Sequence, residues 1–478
     1  MVKSTSSRRS ILTSIGAVGM LGLAGCTGGQ DESSGDGTMG GPAGTLGPWS
    51  LDVESPMPIQ ERINGQEWIP PEFDQSEVAS SIQSFNLGGM ENDPATAWYN
   101  EKFTEETGIE VEPIEVPSSD AVSKMTTVLS AGTQEPVLFQ VSQEFYMDFV
   151  ANGCFEPADI LWSSQAYDAF PPYYETDAKT DLDPSLDGEH SYVSPHIAEG
   201  HAMNYNPELL SDLGFPEDFY DDATWADVRE VSEEAAAQSK DYFGYVWYGK
   251  GNRYPVYPWL SQLKSYGGAI VQQNGDVVFN SDEGVRALEW QRQMIDDELV
   301  PDVLQYGEGG PQDLFLGERL VGFVGGADIM GLALSEFGED TNKYSMGLPP
   351  SGAEGDSVAY MNTDFLAINR AAPVEKKRAA LIYMDGRRSA VCGAYEFDME
   401  GNFPVNSNAW EHPILSNQRF ASTAERVTRN MQVELWPNQI RTYDAVVREL
   451  QEVWLQQKEP QEALDDVQSR VDDIMGQA

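Results

Sequence analysis

Six aromatic side chains crowd into fifteen positions: Tyr245, Trp247, Tyr248, Tyr254, Tyr257 and Trp259. Arg253 stands among them, in a chain where basic residues are scarce. Flat apolar faces beside a planar guanidinium are suited to holding a ligand, by stacking and by paired hydrogen bonds to its oxygens. Taken singly, each aromatic is accounted for as core, and strand alternation buries Tyr245 and Trp247 or their neighbours. Arg253 alone would be a surface ion pair worth about 0–1 kcal/mol. The patterns of covalent chemistry are missing: there is no G-x-S-x-G elbow, no HExxH and no P-loop, and Gly325-Gly326-Ala327-Asp328 lacks the lysine that a phosphate loop needs. His196 and His201 are five apart, which does not put both on one helix face, so a metal pair is a weak reading and a loop or hinge position the better one. Carboxylate pairs of the kind that hydrolyse glycosides occur throughout so acidic a chain, and no single pair is informative.

The acidity has its own meaning. Lys plus Arg total 29 against 78 for Asp plus Glu, a net charge of −49. Nucleic acid is excluded as a partner, because phosphate backbones need clustered basic residues. Such charge strains a compact state by self-repulsion. Yet 40% apolar content and 11 Trp, 20 Tyr and 19 Phe argue for a folded body. The acids are spread along the chain and lysine is scarcer than arginine, which resembles a halophilic surface working where the Debye length shrinks to about 3 Å at 1 M salt. A length of 478 residues allows two to three domains. Of the three cysteines, Cys154 and Cys392 are free to pair in an oxidising compartment or to stand as two buried thiols.

Cys26 belongs to a different kind of signal. Residues 1–26 carry Arg8-Arg9, an apolar run too short to span a bilayer, and Leu23-Ala24-Gly25-Cys26, together reading as a twin-arginine export signal with a lipobox. Lipidation of Cys26 would tether the mature chain outside the cell membrane. Residues 27–80 read as a flexible Gly/Ser/acid tether followed by an extended arm, where Pro56, Pro58, Pro70 and Pro71 forbid long regular elements.

The elements that must position the aromatic and polar groups begin near residue 81. A strand over 81–87 precedes a helix opened by Asp93-Pro94 and closed by Gly108. Strand 109–116, helix 120–131, strand 136–141 and helix 144–152 follow, an alternation that implies a parallel α/β sheet. Further on, strands are predicted at 202–205, 242–248, 320–324 and 364–369. Helices are predicted from a Thr224 cap to 237, at 257–267, 282–297, 313–317 and 375–385, and through most of the last hundred residues.

These segments resemble the extracellular solute-binding proteins of ABC importers, in the subgroup related to maltose-binding protein. The resemblance is carried by Asp93-Pro94 through Trp98, Phe103, Gly108 and Val111; by Tyr205-Asn206-Pro207-Glu208-Leu209-Leu210, Gly214-Phe215-Pro216 and Thr224-Trp225; by Phe315-Leu316-Gly317-Glu318 through Gly325-Gly326; and by Gly401-Asn402-Phe403-Pro404. It implies a two-lobed α/β fold of the periplasmic-binding-protein type (type II), hinged by crossover segments, with ligand in the cleft. Lobe I would be 81–197 plus 358–408 and lobe II 198–357 plus 409–478. The resemblance further implies a monomeric, extracellular receptor, without catalysis or cofactor, that hands a small solute to a permease. Ligand contacts would come from Asn86 and Glu91 after the first strand, Gln143 and Glu144 after the third, Asn252, Arg253, Tyr254 and Trp259 in lobe II, Asp328 at the double glycine, and Asn362. Many sugar binders place a tryptophan at this element, where this chain has Ala327-Asp328, a departure that speaks against a maltodextrin-like stacking platform; Asp328 would accept from hydroxyls or pair with a cation. Pyranose faces are apolar and their edges are hydroxylated, which fits a carbohydrate. The alternatives are a non-sugar solute (glycerol phosphate, a polyamine or iron) on the same scaffold, or a secreted carbohydrate-active enzyme.

Overall fold

The computed structural model describes residues 74–476 apart from 88–93, 163–169, 171–178, 252, 273–274, 308, 339–340, 353–356, 433 and 437. The export signal, Cys26 and nearly all of the tether and arm lie outside the described residues. The strands are β1 (Ser81–Leu87), β2 (Glu110–Val116), β3 (Leu138–Ser142), β4 (Phe155–Glu156), β5 (Lys179–Thr180), β6 (His190–Ser191), β7 (Val193–Tyr205), β8 (Phe243–Tyr245), β9 (Leu320–Gly326), β10 (Ser345–Gly347), β11 (Ala359–Asn369) and β12 (Met431–Gln432).

The principal sheet runs β2-β1-β3-β11-β7-β9-β8. At one end β2, β1 and β3 are parallel; at the other β9 and β8 are parallel. Between them β11 and β7 are antiparallel to each other and to their outer neighbours. Two α/β lobes thus share two long central strands. Helices cover the sheet and close one continuous apolar core.

Local sequence explains much of this. Gly108 takes φ +72° and its N–H bonds the Thr104 carbonyl at 2.8 Å, ending helix Pro94–Thr107 as a C′ glycine should. Thr224 and Asp227 form a full capping box before helix Trp225–Ala237.

The central strands depart furthest from the sequence expectation. β7 has thirteen residues where four were expected, and β11 eleven where six were. Glu199, Gly200 and His201 interrupt the apolar pattern of β7, so alternation alone reads it short. Conversely, the segment expected as a strand over 242–248 pairs only at Phe243–Tyr245. Where β7 crosses β11, Asp364 faces Ile197 but Phe365 faces Pro195, a register shift beside a proline that has no N–H to give the ladder. Gly200 is required at this crossing, since a Cβ there would lie 1.8 Å from Met431 Cε and 2.8 Å from the Phe403 ring.

Cys392 is a buried free thiol and accepts from Arg387 Nη1 at 3.0 Å, so it does not pair with Cys154. Among the described residues no helix is long and apolar enough to cross a membrane.

Candidate functional site

The buried strand β3 ends in Ser142, and helix Gln143–Ala151 starts at once. This delivers Gln143 and Glu144 to the carboxyl end of a strand, where open α/β sheets place ligands. Glu144 sits in the first helical turn, where the helix dipole favours a carboxylate. Its side chain is 1% exposed. It accepts hydrogen bonds from the Ser142 and Tyr257 hydroxyls, and from Arg253 Nη1 at 3.3 Å. Arg253 and Tyr257 come from the segment that opens helix Val256–Ser265, more than a hundred positions along the chain. One buried carboxylate thus joins these two distant segments.

Aromatic rings wall this junction. Tyr257 stacks on Tyr360 of β11, with centroids 5.5 Å apart. Tyr254 stands edge-on to Tyr257 at 5.8 Å, and Arg253 lies over the Tyr254 ring at 5.4 Å. The Tyr360 and Tyr443 hydroxyls are 3.1 Å apart. Gln143 donates to the Tyr360 hydroxyl at 3.3 Å and accepts from the Thr363 N–H at 3.1 Å. His201 stands edge-on to both Tyr257 and Tyr360. Burial pushes its pKa down to about 4, which keeps it neutral.

Carboxylates gather at the same place. Asp364 accepts from Gln140 Nε2 at 2.8 Å. Burial raises its pKa to about 6, with Glu144 adding and Gln140 and Arg253 opposing. Burial also raises Asp328. Glu199 is pushed well above the carboxylate range, first by the protein around it, then by Asp364, Asp328 and Glu144, against Arg253. Both Glu199 and Asp328 nevertheless expose their side chains to solvent. Gly326 admits the Asp328 carboxylate, because a Cβ there would meet Asp328 Oδ1 at 2.4 Å.

The expected site residues divide accordingly. Gln143, Glu144, Arg253 and Tyr254 come together, and Asp328 joins them through Glu199. Trp259 is a correction. It is 0% exposed, stacks on Phe279 at 6.2 Å and donates its indole N–H to the Gly284 carbonyl at 2.9 Å, all within the core. Two residues beyond Tyr257 on a helix, it points to the opposite side. Asn86 is buried against Ser84 and Glu115 of the neighbouring strand. Glu91 and Asn252 lie outside the described residues. The backbone of Asn362 pairs with Glu199, while its side chain is outside what is described. His196 is held by Arg387 away from this cluster. Sequence reasoning missed Glu199, Tyr360, Tyr443 and the role of His201, and held Asp364 only as part of a strand cap or cleft wall.

The Asp364 shift fixes a pH dependence. A carboxyl of ordinary pKa 3.8 that rises to about 6 on folding binds its proton more tightly in the folded state. That contribution is fully present below pH 3.8 and is lost as pH rises through about 6. At pH 7.5 the ionised Asp364 works against the fold. Asp364→Asn, still able to accept from Gln140, is expected to raise the melting temperature at pH 7.5 by about 2–4 °C, the shift one kilocalorie brings in a large domain, and to leave it nearly unchanged at pH 4. Melting curves at both pH values test this; a lower melting temperature for the variant at pH 7.5 contradicts it.

A sequence model of the bacterial extracellular solute-binding protein family matches residues 91–382, more than half of the chain. No curated protein matches in sequence. Solved structures share the fold. The maltose-bound MalE3 of T. maritima superposes with a TM-score of 0.71 at 20% identity, over 82% of this chain and 99% of that one. An ABC transporter solute-binding protein of Thermotoga lettingae bound to α-D-tagatose gives 0.70 at 18% identity, over 83% and 100%. Another, from Agrobacterium radiobacter K84 in complex with ribitol, gives 0.68 at 17%, over 83% and 99%.

Proposed function

Because the chain belongs to the bacterial extracellular solute-binding protein family of ABC transport, we propose that it is a membrane-tethered receptor that binds a carbohydrate by cleft closure and delivers it to a permease. The observation that carries this reading is the junction at Glu144. A buried carboxylate of one lobe takes hydrogen bonds from Arg253 and Tyr257 of the other, beside the stacked Tyr257 and Tyr360. In this reading the junction forms as the lobes approach, in the hinge motion expected around a ligand. Stacked rings and amide and carboxylate edges are the groups that hold a polyhydroxylated ring. Structural relatives that hold maltose, tagatose and ribitol support the same class.

In this proposal the lobes are 81–197 plus 358–408 and 198–357 plus 409–478. Arg253, Tyr254, Asp328 and Glu199 contact the solute, and the buried Gln143, Glu144, Tyr257, Asp364 and Tyr360 hold them in place behind the contact surface. Asn86 lines the outer end of β1. The signal at Arg8-Arg9 and the lipobox cysteine Cys26 export the folded chain and anchor it at the outer face of the membrane. An anionic solute is disfavoured, since Arg253 is the one guanidinium of the cluster among the described residues and is already paired with Glu144. The protein acts as a monomer and performs no catalysis.

A thermal-shift screen of sugars, polyols, peptides and organic anions in molar salt tests the reading. A solute that binds only the folded state stabilises it by about 2.7 kcal/mol at a hundredfold excess over Kd. A rise in melting temperature with a sugar or polyol is expected. A flat response to all of them, with a shift for a peptide or an organic anion, overturns it.

A further inference from the structure

We propose that a second binding site lies away from the Glu144 junction, in a pocket that takes a small organic carboxylate with a flat apolar body. The pocket has a volume of about 320 Å³, within the range that small-molecule sites occupy. Three elements wall it: the start of helix Trp225–Ala237, Tyr266 just after helix Val256–Ser265, and helix Asp282–Asp296. The inference does not rest on the carbohydrate reading, since none of the lining side chains belongs to the junction at Glu144.

Helix Asp282–Asp296 turns one face to this pocket. Arg286, Glu289, Trp290 and Gln293 follow the i, i+3, i+4, i+7 spacing of a single stripe. Trp290 stands edge-on to Trp225, with centroids 5.1 Å apart, and the two rings form an apolar wall. Arg286 lies over the Tyr266 ring at 4.2 Å. Asp282, Glu283 and Glu289 are three or four positions from it on the same helix, the spacing at which ion pairs form. Arg286 nevertheless makes no ion pair or hydrogen bond among the described residues. In a chain with 78 acids, an arginine held on a ring and left without a carboxylate is open to the anion of a ligand.

The other unfilled groups of the lining are mostly donors. Arg229 bonds Glu233 and Asp297 through Nε and Nη2, and its Nη1 is buried without a partner. The Trp290 indole N–H and the Gln293 side-chain amide make no hydrogen bond among the described residues. Donors without acceptors are where the oxygens of a ligand bond. A neutral sugar, whose hydroxyls need acceptors as well as donors, suits such a lining less well. Glu289 is the one carboxylate of the lining and is exposed. Its charge repels a dianion more than a monoanion, so a carboxylate fits better than a phosphate.

Isothermal titration of the full folded chain, at one salt concentration, tests this with benzoate, its neutral twin benzamide, and phenyl phosphate. Benzoate is expected to bind about tenfold more tightly than benzamide, and more tightly than phenyl phosphate. Arg286→Gln is expected to bring benzoate down to the level of benzamide. Arg286→Lys is expected to keep part of the preference, because the charge stays while the flat, stacked fork is lost. Arg286 is exposed and unpaired, so both variants are expected to melt with the parent. Equal binding of benzamide and benzoate overturns the anion assignment. A preference that survives Arg286→Gln overturns the site. Tighter binding of phenyl phosphate overturns the choice of a carboxylate. Failure of all three probes to bind overturns the proposal as a whole, and leaves the carbohydrate reading of the cleft untouched.

Discussion

Glu144→Ala is expected to weaken solute binding by about 30–150-fold. The carboxylate is almost wholly buried and receives Ser142, Tyr257 and Arg253. Removing one partner of a fully buried charge pair costs about 3–5 kcal/mol, because the survivor is left desolvated and alone. Arg253 keeps 23% of its side chain exposed, so water recovers part of that loss and the effect falls to about 2–3 kcal/mol. The cost is paid in the closed arrangement, in which the lobes meet, so it subtracts from affinity rather than from the stability of either lobe. Glu144→Gln, which still accepts hydrogen bonds but carries no charge, should fall between the variant and the parent. Titration calorimetry gives the affinities, and small-angle scattering should show a larger radius of gyration for Glu144→Ala at saturating solute. Affinity within threefold of the parent would mean that Glu144 is not the latch described above.

Trp259→Ala is expected to produce the largest loss of stability, about 3–5 kcal/mol, by opening a cavity of indole size in a core that cannot collapse onto it. The cost has two further sources: the Gly284 carbonyl loses its donor, and the Phe279 face loses its stacking partner. Denaturant unfolding should show a lower midpoint. Trp259→Phe should recover much of the stability and leave solute affinity within threefold. A strong loss of affinity with unchanged stability would return Trp259 to the cleft and refute the core assignment.

These two residues show how much of the site could be read from the chain. Gln143 and Glu144 were legible because they sit where a strand of apolar residues hands over directly to a helix, a junction with a clear local signature. Arg253 and Tyr254 were legible as rare or family-placed residues. Trp259 was misread because aromatics close in sequence were taken together, although a helix starting at Val256 turns Tyr257 and Trp259 to opposite sides. Glu199, Asp364 and Tyr360 were hidden for another reason. They lie on β7 and β11, strands that neither local alternation nor composition delimits, and in a chain with 78 acids no acid marks itself. Their significance comes from register, Asn362 opposite Glu199, which is a property of pairing between segments some 160 positions apart. The α/β class was legible through the alternation of strands and helices, and the two-lobed fold through the family resemblance; the length of the shared strands was not.

The shared strands also constrain the order in which the molecule can be made. β3 has its antiparallel neighbour in β11, so Leu138 waits for Ile368, and Thr96 receives Arg387 from 291 positions away. As synthesis proceeds from the N-terminus, the lobe begun first holds an unpaired edge at β3 through most of translation. The other lobe waits longer still, because helix Asp282–Asp296 packs against the C-terminal helices Gln439–Trp454 and Pro460–Met475. The lobe begun first cannot close until β11 has emerged. Its closure carries the entropy of a loop longer than two hundred residues, which makes folding slow and leaves an edge open to wrong partners until β11 arrives.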